Sequence, residues 1–292
     1  MKVAFLGTGL MGLPMAQRLL DANIEVVAYN RTPEKLAPLQ AAGAEIVTHP
    51  RQAIRAAECI ILMLTNAAAI YHVLLSDTSW RTLEGRTVIQ MGTITPTESQ
   101  EIRDSVVGGG GEYIEAPVLG SIPEAKNGNL IVMVGAKPEQ YQRHLDLLQN
   151  FGTQPLLVGS VGTASALKLA LNQLIASLTT SFALSLAFVQ RQGVDVDLFM
   201  QVLRDSSLYA PTFDKKLSRM LDGNYTNPNF PIKHLLKDTD LFISEAKSLG
   251  LELNSIEAVR QILQTAVKMS FANADYSALF SVINEWGDSS GE

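Results

Sequence analysis

Lys2-Val3-Ala4-Phe5-Leu6-Gly7-Thr8-Gly9-Leu10-Met11-Gly12 decides the fold, because an apolar strand runs into a three-glycine turn and then into a helical pattern. Over 11–22, Met11, Met15, Leu19 and Leu20 fall on one helix face, and a second apolar strand is expected at 24–29. Each glycine has a mechanical task. Gly7 permits the tight turn, Gly9 lets the backbone approach a pyrophosphate, and Gly12 allows the helix to pack closely on the strand. Amides and dipole at the helix N-terminus favour that anion. Gly-rich turns are common, but one set between strand, helix and strand points to a dinucleotide, with Thr8, Leu10 and Met11 completing its cradle.

The end of the second strand indicates which dinucleotide. An acidic residue there would hydrogen-bond the ribose hydroxyls of NAD. This chain has Asn30-Arg31-Thr32-Pro33-Glu34-Lys35 instead. Asn30 exerts no repulsion on a 2′-phosphate, Arg31 and the Thr32 hydroxyl can bind it, and Lys35 is nearby, so NADP(H) is the expected cofactor. The plainer alternative leaves Arg31 and Lys35 as solvated surface charges.

Further strands are expected at 59–64, 87–91, 112–115, 130–134 and 156–158, with a helix at 33–41. Strands alternating with helices imply a mainly parallel sheet covered on both faces, and the closer spacing of the later strands admits an antiparallel part. The character changes after Gly159-Ser160-Val161-Gly162. Residues 163–192 contain neither Gly nor Pro and predict one helix of roughly 45 Å. Helical patterns follow at 195–204, 211–221, 233–249 and 255–272, with Gly193, Gly223 and Gly250 where C-caps belong. The expected fold is therefore α/β, a Rossmann-type doubly wound sheet followed by an all-α domain, joined by a long interdomain helix. Its expected parts are a dinucleotide-binding domain over 1–161, a helical domain over 162–286 serving substrate cleft and oligomerisation, and a flexible tail over 287–292. The loop 223–231 interrupts the helical half and reads as a surface or active-site loop.

Composition narrows the function classes. The 292 residues are 47% hydrophobic and carry a net charge of −6, which argues against nucleic acid or an anionic membrane as main partner. The single Cys59 lies in an apolar run and reads as a buried hydrophobe, which fits a reducing compartment. Met1 leads directly into the first strand, so no leader and a cytoplasmic location are expected. The weakly charged stretch 169–190 holds Asn172, Gln173 and several Ser and Thr residues, and is expected to be a buried helix rather than a membrane span. His49, His72, His144 and His234 have no spacing that suggests a metal or a catalytic dyad, and no Gly-x-Ser-x-Gly elbow occurs. No metal is expected.

Gly7-Thr8-Gly9-Leu10-Met11-Gly12-Leu13-Pro14-Met15-Ala16 closely resembles the opening motif of the β-hydroxyacid dehydrogenase family, and three further segments match in order over essentially the whole chain. In Glu115-Ala116-Pro117-Val118-Leu119-Gly120-Ser121, the resemblance implies a loop that binds the substrate carboxylate, partly through amides at Leu119, Gly120 and Ser121. Leu119 departs from the Ser usual in the family. In 162–172 the resemblance implies that Lys168 is catalytic, with Asn172 beside it. The chemistry agrees: hydride reduction of a carbonyl leaves an alkoxide, which an ammonium can stabilise and protonate. Lys168 is also the only charge from Ala164 to Gln190, and it shares a helix face, expected to look at the interdomain cleft, with Asn172.

In 230–238 the resemblance implies that Phe230 and Asp238 line the substrate pocket and Lys237 reaches the cofactor. Leu64-Thr65 and Thr93 lie at expected carboxyl ends of strands, where ligands bind in open α/β sheets, although Thr93 also suits a helix N-cap. The implied activity is NADPH-dependent reduction of a small aldehyde acid, most like the glyoxylate/succinic semialdehyde reductase branch. The apolar long helix and all-α second half suggest a homodimer or homotetramer, because so apolar a helix needs partners on most sides. Two alternatives stay open: oxidation of 3-hydroxyisobutyrate or another 3-hydroxy acid, and a non-catalytic nucleotide-sensing module on the same fold.

Overall fold

The computed structural model describes residues 1–285, so the expected tail 287–292 lies outside the described residues. Nine strands form one sheet: β1 (Lys2–Leu6), β2 (Glu25–Tyr29), β3 (Glu45–Ile46), β4 (Cys59–Leu62), β5 (Thr87–Gln90), β6 (Glu112–Glu115), β7 (Val118–Leu119), β8 (Ile131–Gly135) and β9 (Leu156–Gly159). Their order is β3-β2-β1-β4-β5-β6-β8-β7, with β9 on β8. The first six are parallel, while β8 runs antiparallel to β6 and β7. The expected mixed sheet is present, and the 3-2-1-4-5-6 part has the order of a doubly wound dinucleotide fold.

Eight helices belong to this half: α1 (Gly12–Asp21), α2 (Ala37–Ala41), α3 (Pro50–Ala56), α4 (Ala67–Leu74), α5 (Asp77–Trp80), α6 (Pro96–Gly108), α7 (Ile122–Asn127) and α8 (Pro138–Leu148). Alternation along β1 assigns the two faces. Val3 and Phe5 join the layer of Met15, Leu19, Leu39 and Leu148, whereas Ala4 and Leu6 join that of Ile54, Ile70, Ile102 and Val106. Each large aliphatic side chain buried this way contributes about 1.5–3 kcal/mol. The helix expected over 33–41 is broken into a 3-10 turn at Pro33–Leu36 and α2, because Pro38 has no N–H to continue the helical ladder.

The chain then forms α9 (Thr163–Arg191), α10 (Val196–Arg204), α11 (Pro211–Asp222), α12 (Ile232–Ser248), α13 (Asn254–Ala266) and α14 (Leu279–Glu285). Two compact units divide at Leu169/Ala170, so the first turns of α9 belong to the sheet unit. By length and composition α9 could cross a membrane, yet 44% of its most apolar window is buried within the fold. Gly223 caps α11 in the left-handed region, where glycine bears no Cβ penalty. The helix expected over 255–272 stops at Ala266. A π-turn at Val267–Phe271, with Ser270 at φ +69°, ends its regular ladder.

Candidate active site

In the sheet unit, the turns after β1, β2, β4 and β5 meet at one edge. The Gly7 amide donates to the Tyr29 carbonyl, and Gly7 lies so close to Met63 and Leu64 that a Cβ would strike the Met63 carbonyl. Gly92 is held as tightly against the Leu64 backbone. Gly7, Asn30, Leu64 and the Met91-Gly92-Thr93 turn are thereby brought together at the carboxyl edge, where doubly wound sheets bind ligands. Gly7 has φ +101°, as its tight turn requires. A Cβ at Gly12 would collide with the Gly7 carbonyl, so this glycine lets α1 start directly against the turn.

The cradle fits a dinucleotide by two observations. Thr8 is 2% exposed and its Oγ1 is buried without a partner, whereas Gly9 is exposed with open space where a side chain would be. A polar ligand against the turn would satisfy the first and use the second. Leu10 is exposed and Met11 half-buried beside them. Asn30 closes its own turn, Nδ2 donating to the Thr32 carbonyl at 3.0 Å, and this presents Arg31, Thr32 and Lys35 to solvent. Thr65 is exposed after β4. Thr93 is not the cap of the next helix: that cap is Thr95, whose Oγ1 accepts from the Glu98 amide.

The loop after β6 carries Leu119, Gly120 and Ser121. Gly120 has φ +138°, which only glycine adopts without strain, and Leu119 pairs with Ile131 across β7 and β8. Ser121, expected to offer its amide to a substrate carboxylate, donates both N–H (2.8 Å) and Oγ–H (2.5 Å) to Glu124 Oε2. The carboxylate at that amide is supplied by the chain, because Ser121 and Glu124 form a capping box at the start of α7.

Lys168 lies on the second turn of α9 and is 8% exposed. The start of that helix is gripped by Glu115, a fully buried carboxylate at the end of β6. Glu115 Oε1 accepts from the amides of Gly162 (2.7 Å), Ala164 (2.9 Å) and Ser165 (3.4 Å), and Oε2 accepts from the hydroxyls of Ser165 (2.7 Å) and Ser99 (2.6 Å). Sequence reasoning passed over Glu115 as part of a loop motif. A lone acid ending a strand was the only local signal, and its partners lie up to 50 residues away.

In the helical unit, Asn172 Nδ2 donates to Asp238 Oδ2 at 2.6 Å, and both side chains are buried. Asn172 Oδ1 is buried without a partner. Lys237, expected to reach the cofactor, has its ammonium 2.7 Å from Asp238 Oδ1. A carboxylate on the next residue holds it there. Phe230 is half-buried, its ring edge-on to Tyr276 at 6.1 Å.

The loop carrying Phe230 is tied down by residues that the sequence did not single out. Asp275, fully buried, accepts from Lys216 Nζ (2.8 and 3.0 Å), the Asn229 amide and Ser277. Lys216 Nζ also sits 4.1 Å from the centre of the Tyr276 ring. Burial opposes ionisation of Asp275, but the Lys216 ammonium and the Ser277 donors together hold its carboxyl below the ordinary 3.8. Cys59 is buried as expected, which pushes its thiol up to about 12. Burial also pushes His234 down, assisted by Lys233 and Lys237. No group of three or more potential metal ligands occurs among the described residues.

Residues 2–162 match the family described as the NAD binding domain of 6-phosphogluconate dehydrogenase, and residues 162–283 that described as NAD-binding of NADP-dependent 3-hydroxyisobutyrate dehydrogenase. Glyoxylate/succinic semialdehyde reductase 1 of Arabidopsis thaliana is 27% identical over 285 residues, 97% of this chain and 98% of the relative. The 2-hydroxy-3-oxopropionate reductase of Escherichia coli K12 is 29% identical over 288 residues, 97% of each chain. In fold, the 3-hydroxyisobutyrate dehydrogenase of Mycobacterium tuberculosis, solved with L-serine, superposes with a TM-score of 0.88 at 20% identity, covering 97% of this chain and 98% of the other.

Proposed function

We propose, for a chain that belongs to the 3-hydroxyisobutyrate dehydrogenase family, the β-hydroxyacid dehydrogenases, reduction of a small aldehyde acid by NADPH to the hydroxy acid. The family itself makes the protein an NAD(P)-dependent oxidoreductase acting on CH–OH groups. The observation that carries the reading is Lys168, an almost buried ammonium in an otherwise uncharged stretch of α9, on a helix start that Glu115 anchors.

When bound, NADPH supplies a hydride to the substrate carbonyl carbon. Lys168 stabilises the oxyanion and gives it a proton. Asn172, locked to Asp238 through its amide nitrogen, keeps Oδ1 available to orient the lysine or the product hydroxyl. Thr8, the amide at Gly9 and the start of α1 hold the pyrophosphate, and Arg31 with Thr32 and Lys35 takes the 2′-phosphate. Gly120 and Thr93 meet the substrate carboxylate, and Leu119 adds an apolar wall. Leu174, Leu178, Leu184 and Phe188 form an exposed apolar face along α9, which supports assembly into a homodimer or homotetramer. A cytoplasmic setting belongs to the same proposal.

Initial rates with glyoxylate, succinic semialdehyde, tartronate semialdehyde and methylmalonate semialdehyde, each with NADPH and NADH, test the reading. Turnover of the unbranched acids with NADPH, lost in Lys168→Ala, supports it. Activity confined to the branched acid would give the 3-hydroxyisobutyrate reading, which the match of residues 162–283 favours. Wild-type turnover in Lys168→Ala would remove the catalytic assignment.

A further inference from the structure

The contacts of Glu115 divide unusually. An N-cap normally comes from the residue just before the helix, whose side chain accepts from the second or third amide. The residue before α9 is Gly162, at φ +105°, with no side chain to do this. Glu115 performs the task from the end of β6: it accepts the Ala164 and Ser165 amides and the Gly162 amide as well. A carboxylate also complements the positive end of the helix dipole. The space it occupies is reserved by Gly135 on β8, where a Cβ would collide with Glu115 Oε1. Five donors, two of them hydroxyls, converge on this buried carboxyl group.

What this clamp controls follows from helix spacing. Ser165, Lys168 and Asn172 are three and four residues apart, so they form one stripe on α9. Glu115 holds the first member of that stripe by backbone and hydroxyl together, and Ser99 fixes the other side of the carboxylate from α6. Lys168 sits one turn beyond the clamped residue, so its placement relative to the carboxyl edge of the sheet depends on the axial position and rotation of this turn. A rotation of the helix start would move its ammonium before it moved the cradle at Gly7–Gly12, which is anchored separately to β2 and β4.

We propose that Glu115 is a positioning residue for Lys168: its buried carboxylate sets the pose of the first turns of α9 and thereby the place from which the ammonium meets the substrate oxygen. This rests on the catalytic reading of Lys168. Glu115→Gln keeps the size but replaces an acceptor oxygen by a donor facing two hydroxyls. Its kcat with NADPH and the best aldehyde acid falls by about ten- to a hundredfold, the scale on which a shift of ~1 Å acts, while the NADPH dissociation constant, read by fluorescence titration, stays near wild type. Amide hydrogen exchange across 162–172 accelerates. Ser165→Ala, which removes one hydroxyl donor, shows the same pattern to a smaller degree and serves if Glu115→Gln does not fold. In the Lys168→Ala background, Glu115→Gln causes no further fall in kcat, because both act through one group.

Wild-type kcat and exchange in Glu115→Gln would overturn the inference. So would a loss that multiplies with that of Lys168→Ala, or parallel losses of kcat and NADPH affinity, which mark a general structural role. Wild-type turnover in Lys168→Ala alone would sink the catalytic reading instead. The exchange measurement needs no turnover, so an unchanged 162–172 overturns the clamp even if no tested aldehyde acid is reduced.

Discussion

Replacing Lys216 by Met tests whether the buried Lys216–Asp275 pair holds the helical unit together. The lysine is 8% exposed on its side chain and the aspartate 0%, and the ammonium lies 2.8 and 3.0 Å from the two carboxylate oxygens. Removing one member of a buried pair leaves the other desolvated and uncompensated, at about 3–5 kcal/mol. Asp275 keeps the Asn229 and Ser277 amides and the Ser277 hydroxyl, so the lower end, about 3 kcal/mol, applies. The lost contact with the Tyr276 ring adds about 1 kcal/mol. Methionine retains most of the apolar stem, so packing loss is small. With a urea slope of about 1–3 kcal/mol/M, the midpoint followed by far-UV circular dichroism should fall by roughly 1–4 M. Asp275→Asn and the double variant complete a cycle in which the two losses are strongly non-additive. A loss below about 1 kcal/mol, or additive losses, would refute the reasoning, because either means that the pair is effectively solvated.

Other consequences follow from the same coordinates. Asp275 titrates lower in the folded chain than its ordinary 3.8, so its contribution to stability is complete above that value and is lost as pH falls through the lower one. Acid titration of stability should show this, with the onset moved to higher pH in Lys216→Met. Gly9→Ala should fold with wild-type stability yet lose NADPH affinity, because its side chain enters open space. Gly12→Ala meets the Gly7 carbonyl and should cost at least about 1–3 kcal/mol in a urea melt. Arg31→Ala should raise KM for NADPH by about 10- to 100-fold, from about 1.5–3 kcal/mol of charge-assisted bonding, and leave KM for NADH unchanged.

Much of the sheet unit was legible because its signals are local. Strand, Gly turn and helix lie within Lys2–Asp21, and period-two alternation along β1 corresponds to the two layers of core. Lys168 was marked for a similar reason, since it is the only charge from Ala164 to Gln190 and a charge in an apolar stretch stands out along the chain. Ser121 and Lys237 show the limit of local reading, because Glu124 and Asp238 engage the groups expected to meet ligands. Sequence shows that a donor exists, not whether a neighbour has already taken it.

The sequence by itself determined the dinucleotide turn, the class of fold and the helix face that bears Lys168 and Asn172, since each depends on spacings within a few turns of chain. Only the tertiary structure decided what holds those parts in place. Glu115 reaches the start of α9 across 47 residues or more, and Lys216 reaches Asp275 across 59. Both contacts bury charge, which is tolerable only with several donors converging on one carboxylate. That convergence comes from folding, and no local pattern of residues specifies it.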